Sequence, residues 1–283
     1  MYLKVINELG NIDQLPTLPT IVLRINSVLS DPRSTARTVA DLIAEDMVLT
    51  TRILKLVNSA YYGVPRQVTT LSQAVVILGF REVKNLVLGA KIFDLFQSSF
   101  KKIKKFFDVN LLWQHSLGCA TIAKRIARLI NYPDPESLFI AGLIHDIGKI
   151  VEIKCLTDYM EELFKMVQQQ NIFMWEAEQL LWNITHAEIG KVMVDMWDFP
   201  PLLEKTVAYH HNPHLAAEFA REAAIIHIAD SICRELHIGS GGDNLVPDID
   251  PWSWDIVGMN EQDKQIILDA AVKDVEELLP VFS

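Results

Sequence analysis

Apolar residues recur three and four positions apart along most of this chain, which is the spacing of amphipathic helices. In the first hundred residues the pattern covers TIVLRINSVLS, TARTVADLIAED and VLTTRILKLVNSAYY, and the last of these stops at Gly63-Val64-Pro65. The segment LSQAVVILGFREVKNLVLGAKIFDLF continues the pattern, and its internal Gly79 predicts a division into two helices. Strict alternation of strand length is absent. The pattern therefore predicts an all-α protein.

The helical pattern resumes after residue 108 and continues almost to the end. It covers NLLWQHSLGCATIAKRIARLI, then a break at residues 131–135, then ESLFIAGLIHDIGKIVEI as one helix. The later predicted helices are YMEELFKMVQQQ, WEAEQLLW, HAEIGKVMVDMW, PLLEKTVAYHH and REAAIIHIADSICREL. GSGGDNLVPDIDP has the composition of a flexible loop, and the tail NEQDKQIILDAAVKDVEELLPVF closes the chain as an amphipathic helix.

A charge-rich junction, SSFKKIKKFFDVN, separates the two helical halves. A solvated helix face or linker explains it better than a basic patch for an anionic partner. We therefore expect an N-terminal helical subdomain over residues 1–100 and a helical bundle over residues 101–240. Residues 241–283 supply a loop and a C-terminal helix that complete the bundle.

Composition narrows the class of protein. Half of the 283 residues are hydrophobic, enough for a sizeable core, and the formal net charge of −10 argues against a nucleic-acid partner. No uncharged apolar run approaches the roughly 18 residues of a membrane span, and the N-terminus lacks the apolar core of a signal peptide. The three cysteines are odd in number and widely spaced, which fits a reducing cytoplasm. We expect a cytoplasmic protein without a membrane association.

The candidate chemistry begins at AGLIHDIGKI, where His145 and Asp146 stand side by side in an apolar stretch. Burying a carboxylate is costly unless it is paired or binds a metal. Asp230, flanked by apolar residues in IIHIADSIC, poses the same problem. Lys149 lies four residues after His145, where it either holds an anionic substrate or extends to solvent, and the second role is slightly favoured.

Further histidines lie on separate predicted helices, each in an ordered position along the second half. A lone histidine on a helix is usually a hydrogen-bonded core or surface residue, so His214, His227 and His237 are set aside. The remaining residues form a set of imidazoles and carboxylates, as helical bundles use to build metal sites in their cores. The candidate ligands are His115, His145, Asp146, His186, His210, His211 and Asp230.

These residue types favour particular ions. Neutral imidazole suits zinc, iron, nickel or copper, and carboxylates add affinity for manganese or iron and can bridge two ions. Two ions about 3.5–4 Å apart can activate a water and hold a phosphate. We therefore expect a divalent metal centre, either mononuclear or binuclear, containing iron, manganese or zinc. Asp146 is the candidate bridge, and Asp146 and Lys149 are the candidate catalytic residues.

The order His115, His145-Asp146, Asp230 resembles the H…HD…D pattern of the HD superfamily of helical metallophosphohydrolases, and LIHDIGK is similar to its central motif. The fuller pattern resembles the HDOD family, the HD-related output domains of bacterial signalling. The supporting segments are LPTLPTIVLRI, IAEDMVLTTRILKLVNSAYYG, LSQAVVILGFREVKNLVLG, THAEIGKVMVDMWDFPPLLEKTVAYHHNP and IIHIADSI. The resemblance runs from about residue 10 to about residue 240.

The resemblance implies the HDOD fold, an N-terminal helical subdomain packed on an HD-like bundle. It also implies a regulatory module, because HDOD domains are generally regarded as regulatory modules without established catalysis. The seven candidate ligands occupy the positions expected from the related HD-GYP phosphodiesterases. Those enzymes continue with an acidic residue and a Gly-Tyr-Pro loop, whereas this chain continues HHNPHLAAEF, which argues against cyclic-dinucleotide hydrolysis.

Three functional hypotheses follow. The favoured one is a signalling protein that acts through a protein partner or a small phosphorylated ligand. The second is a metal-dependent phosphohydrolase acting on a nucleotide or another phosphate ester. The third uses the same site as a sensor of redox state or of metal. The sequence leaves the oligomeric state open.

Overall fold

The computed structural model describes residues 20–31, 33–96 and 106–282, and these contain helices and no strand. The all-α prediction is therefore confirmed. The chain divides into two compact units, one over residues 96–272 and one over residues 17–95 together with residues 273–283. The charge-rich junction and the start of LPTLPTIVLRI lie largely outside the described residues. No helix in the described ranges has the length and hydrophobicity that a membrane span requires.

Five α-helices lie in the described residues of the N-terminal part of the smaller unit. They are α1 (Thr20–Ser30), α2 (Ala36–Ala44), α3 (Met47–Val57), α4 (Leu71–Leu78) and α5 (Phe80–Phe96). Side chains of Thr35, Asp46 and Thr70 accept backbone hydrogen bonds at the starts of α2, α3 and α4. Gly79 ends α4 with a φ of +83°, which a residue with a side chain rarely adopts, so the predicted division at this glycine is confirmed.

The larger unit contains ten helices in its described residues, the last of which continues into the smaller unit. They are α6 (Val109–Leu129), α7 (Pro135–Ile144), α8 (Ile147–Cys155), α9 (Met160–Gln170), α10 (Met174–Trp182), α11 (His186–Met196), α12 (Pro201–Tyr209), α13 (Ala220–Glu235), α14 (Pro251–Val257) and α15 (Glu261–Phe282). A 3₁₀ helix over Pro213–Phe219 joins α12 to α13, an element that the sequence analysis did not predict.

Close helix approaches in the larger unit bring the candidate ligands together. Helix α6 packs against α7 and α13, and α8 packs against α11. A Cβ atom on Gly148 would overlap the carbonyl oxygen of His186, and one on Gly142 would lie 2.7 Å from the Ala120 backbone. Only glycine permits these contacts, so the glycine of HDIGK lets α8 approach the start of α11.

The prediction of one continuous helix through ESLFIAGLIHDIGKIVEI is wrong at its centre. Helix α7 ends at Ile144 and α8 begins at Ile147, and Asp146 has φ −98° and ψ +14°. The chain therefore changes direction at the His145-Asp146 pair. Because His145 and Asp146 do not lie within one continuous helix, the packing of α7 and of α8 sets the positions of their side chains.

Candidate metal centre

Three histidines are oriented by their outer ring nitrogens. Nδ1 of His145 lies 2.7 Å from the Gly142 carbonyl oxygen, and Nδ1 of His210 lies 2.8 Å from that of Val207. Nδ1 of His186 lies 2.8 Å from the Glu178 carboxylate. An oxygen acceptor at Nδ1 fixes the proton there, which leaves Nε2 with a lone pair directed towards the interior. The three rings are therefore in the tautomer that binds a metal through Nε2.

Asp146 lies at the centre of the cluster, and each of its two carboxylate oxygens faces a different pair of histidine Nε2 atoms. Its Oδ2 lies 3.4 Å from Nε2 of His145 and 3.7 Å from Nε2 of His115. Its Oδ1 lies 3.1 Å from Nε2 of His186 and 3.8 Å from Nε2 of His210. This arrangement matches the predicted bridging carboxylate.

The cluster consequently has two poles. The Asp230 pole consists of His115, His145, Asp146 Oδ2 and Asp230, and the His211 pole consists of His186, His210, His211 and Asp146 Oδ1. In the first, Asp230 Oδ1 lies 3.0 Å from Nε2 of His115 and 4.0 Å from Nε2 of His145. In the second, Nε2 atoms of His186 and His211 lie 3.0 Å apart. All seven predicted ligands are thus brought together, including His115, which the sequence could not place.

The cluster is almost completely removed from solvent. The whole-residue exposure is 2% or less for His115, His145, Asp146, His186, His210 and Asp230. His211 is half-buried, and its ring centroid lies 5.8 Å from that of Trp175. The accessible edge of the described site is therefore at His211.

Burial and neighbouring charges set the ionisation of the metal-free site. Burial alone would raise the pKa of Asp146, but His145 and Lys149 hold that pKa well below its usual value. Burial and the adjacent imidazoles lower the pKa of His210 and of His211. Burial opposes protonation of His186 as well, yet the Glu178 carboxylate raises the pKa of His186 above its usual value. An ionised Asp146 beside the neutral imidazoles of His210 and His211 favours binding of a divalent cation, whereas His186 must release its proton from Nε2 when it binds one.

Lys149 does not extend to solvent, so the slightly favoured prediction for this residue is wrong. Its side chain is fully buried and donates a hydrogen bond of 2.7 Å to Asp146 Oδ2. The ammonium group offsets the charge of the buried Asp146 carboxylate, and loss of either partner would leave the other charge buried without compensation. Lys149 therefore belongs to the site, next to the other candidate catalytic residue.

The structure adds a supporting layer that the sequence analysis missed. Glu178 accepts hydrogen bonds from both the backbone nitrogen and Nδ1 of His186, and Arg234 donates one of 2.9 Å from Nε to Asp230. His227, set aside earlier, lies with Nδ1 3.0 Å from the His210 carbonyl oxygen. The only sequence signal for Arg234 was its position four residues after Asp230. Glu178 gave none, because it lies eight residues from its partner on another helix.

The residues present fit a metal centre. Nε2 of His210 is buried without a hydrogen-bond partner among the described residues, an arrangement that costs free energy unless a ligand satisfies the atom. One atom from each of His186, His210 and His211 lies within 4.8 Å of the others, and the same holds for His115, His145 and Asp146. Two nitrogens bound to one ion at about 2.1 Å would lie about 3–3.4 Å apart, close to the His186–His211 separation. The imidazole-rich donor set favours a transition metal over calcium or magnesium.

Comparisons with known proteins identify the family and the fold. The family model of the HDOD domain matches residues 15–213. An HDOD domain protein of unknown function from Geobacter sulfurreducens has a crystal structure that superposes with a TM-score of 0.83 at 29% identity, covering 99% of this chain and 97% of that one. A Shewanella amazonensis protein, provisionally described as a metal-dependent phosphohydrolase, superposes with a TM-score of 0.71 at 20% identity over 100% of this chain and 98% of that one. The second likeness shows the fold alone.

A relative among the curated proteins is longer than this chain. An uncharacterised protein of Treponema pallidum is 27% identical over 229 residues, which are 80% of this chain but 43% of that protein. The chain therefore spans less than half of the length of this relative.

Proposed function

The chain belongs to the HDOD family, and we propose that it is a regulatory protein of bacterial signalling built around a binuclear metal centre. The observation that carries the proposal is the position of Asp146, whose two oxygens face two separate groups of imidazoles. His115, His145, Asp146 and Asp230 would hold one ion, and His186, His210, His211 and Asp146 the other. We propose iron, manganese or zinc, because imidazole and carboxylate suit these ions. The three free cysteines support a reducing cytoplasm as the location.

The burial of the site favours regulation over turnover. A phosphate ester needs access to the reacting centre, yet six of the seven proposed ligands are almost fully buried. The exposed edge at His211 suits a small phosphorylated ligand or a protein partner that alters the centre from one side. Function must be argued from such features of the site, because one fold supports many activities.

A metal-dependent phosphohydrolase is the second candidate, and the buried Lys149–Asp146 pair favours it. When bound, two ions would supply an activated water and a cradle for a phosphate. In this chain Asp146 would hold the ions in register, and Lys149 would keep positive charge beside the anionic substrate.

Turnover and binding assays separate the two candidates. In the turnover assay, the metal-loaded full chain is incubated with bis(p-nitrophenyl) phosphate. In the binding assay, the Mn²⁺-loaded chain is titrated with inorganic phosphate while the electron paramagnetic resonance spectrum of the bound Mn²⁺ is recorded. The regulatory proposal expects phosphate to perturb the spectrum and expects hydrolysis no faster than that of the Asp146→Asn variant. Hydrolysis that the wild type performs and Asp146→Asn abolishes would replace the regulatory proposal with the enzymatic one.

A further inference from the structure

The Gly-rich loop of residues 239–245 is fixed to three helices, although its composition predicts a flexible loop. The Ser240 nitrogen donates a hydrogen bond of 3.0 Å to the Leu111 carbonyl on α6. Asp243 Oδ2 accepts one of 3.0 Å from the Met174 nitrogen at the start of α10. Asp243 Oδ1 accepts one of 2.8 Å from Nη1 of Arg234 on α13. Hydrogen bonds therefore hold the loop against α6, α10 and α13.

Two glycines let the loop approach the side chains of Arg234 and Met174 closely. A Cβ atom on Gly241 would lie 2.5 Å from Nη2 of Arg234, and one on Gly242 would overlap the sulfur of Met174. Gly242 also has a φ of +111°, a conformation that side chains disfavour. The glycines that indicate flexibility in the sequence thus permit close packing in the fold.

Arg234 connects the loop to the metal centre through a buried chain of charges. Its Nε contacts Asp230 at 2.9 Å and its Nη1 contacts Asp243 at 2.8 Å, and the three side chains are 3%, 7% and 2% exposed for Asp230, Arg234 and Asp243. The Leu245 carbonyl accepts a further hydrogen bond of 3.3 Å from Nη1. The guanidinium plane is therefore held from the loop side while it orients Asp230.

We propose that Asp243 is a positioning residue of the metal centre, which acts through Arg234 on Asp230. The inference rests on the proposed metal-binding function. Alone, Arg234 would offset the negative charge of Asp230 and so weaken its attraction for a cation. Asp243 shares the positive charge of Arg234 and restores one net negative charge to the three side chains. It also fixes the guanidinium group, and with it the direction of the Asp230 carboxylate.

The contribution of Asp243 to metal affinity is confined to the ion at the Asp230 pole. Partners of metal ligands typically contribute 10–100-fold to metal affinity. Asp243→Asn removes the charge and leaves the amide unable to accept from both Arg234 and Met174. We expect at least a tenfold loss in Mn²⁺ affinity at the Asp230 pole and less than a twofold change at the His211 pole. Asp248→Asn removes the same charge from an exposed position further along the chain, and should change neither constant by more than twofold.

The experiment measures the two binding constants from free Mn²⁺ by electron paramagnetic resonance, using the full chain stripped of metal by dialysis. A double-mutant cycle with Asp230→Asn tests whether Asp243 acts through Asp230. If it does, adding Asp243→Asn to the Asp230→Asn variant should change the Mn²⁺ affinities by less than a further twofold. Equal constants for Asp243→Asn and wild type would overturn the inference. So would a loss at both poles, or a tenfold further loss in the Asp230→Asn background.

A variant that keeps the charge guards against misfolding. Asp243→Glu retains the carboxylate beside Arg234, but the longer side chain cannot also keep the contact with Met174. We expect it to weaken the Asp230 pole alone, by less than Asp243→Asn. If Asp243→Asn loses its helical circular dichroism, Asp243→Glu decides, and unchanged constants would overturn the inference. Wild-type protein that binds no Mn²⁺ would overturn the proposed function as well, whereas two ions insensitive to Asp243 would overturn this inference alone.

Discussion

Replacing Glu178 with glutamine tests the support of the His211 pole. The fully buried carboxylate accepts from the backbone nitrogen of His186 at 2.7 Å and from its Nδ1 at 2.8 Å. A hydrogen bond to a charged group contributes about 1.5–3 kcal/mol to stability, and a neutral one about 0.5–1.5 kcal/mol. Glutamine keeps the shape but loses the charge in both bonds. We therefore expect the metal-free protein to lose about 2 kcal/mol of unfolding free energy.

The loss should depend on pH with a defined sign. Since Glu178 raises the pKa of His186, the stability from this pairing is fully present below the usual histidine pKa and declines as the pH rises through the raised value. The difference between wild type and Glu178→Gln should therefore be larger at pH 6 than at pH 9. Metal affinity at the His211 pole should fall by about 10–100-fold.

Urea denaturation followed by circular dichroism, together with the Mn²⁺ titration, measures both effects. Glu188→Gln is the matched control, because it makes the same substitution at an exposed capping position in the first turn of α11, the helix that begins at His186. It should change stability by less than about 1 kcal/mol, because glutamine can still accept from the Thr185 nitrogen and only the charge beside the helix N-terminus is lost. Glu178 does not support His186 if Glu178→Gln changes the free energy of unfolding no more than Glu188→Gln does and leaves the Mn²⁺ affinities of both poles within twofold of wild type.

Three further perturbations test other parts of the account. Asp146→Asn should reduce the bound metal at both poles, and elemental analysis that shows one ion fully retained would contradict a bridge. Burial and the neighbouring Glu178 raise the pKa of Glu152 well above its usual value, so stability should fall with rising pH above the usual glutamate pKa, by up to about 1.4 kcal/mol per pH unit. Glu152→Gln should remove this pH dependence of the free energy of unfolding, as measured by urea titrations of metal-free protein. A pH dependence that persists in the variant would show that a group other than Glu152 takes up the proton. Gly148→Ala should cost several kcal/mol or prevent folding, because its Cβ would overlap the His186 carbonyl, and a melting temperature within 2 °C of wild type would disprove that close approach.

The sequence predicted the helices and the ligand set for different physical reasons. Helical periodicity is a local property, so α6 and the division at Gly79 followed directly from it. The candidate ligands could be proposed because imidazoles and carboxylates recur on several separate apolar helices, and a buried carboxylate needs a partner. The break at His145-Asp146 could not be predicted, since it has no proline or glycine at the pair and depends on how α7 and α8 pack.

The supporting contacts were hidden because they depend on how separate helices and loops pack, even where the partner is only three residues away, as for Lys149 and Asp146. Lys149 was expected to reach solvent, as lysines usually do, and only the position of Asp146 in three dimensions explains its burial. Asp243 lies in a Gly-rich segment whose composition indicates flexibility, and its partners are on α10 and α13. Long-range pairing of charges is the information that a single sequence does not display.

Metal content per chain tests the central claim most directly. The full chain is purified without chelators or an affinity tag, and its metals are measured by elemental analysis before and after reconstitution with Fe²⁺, Mn²⁺ or Zn²⁺. We expect about two equivalents of metal per chain, as in a binuclear site. Essentially no metal after reconstitution, in protein that retains its helical circular dichroism, would contradict that claim.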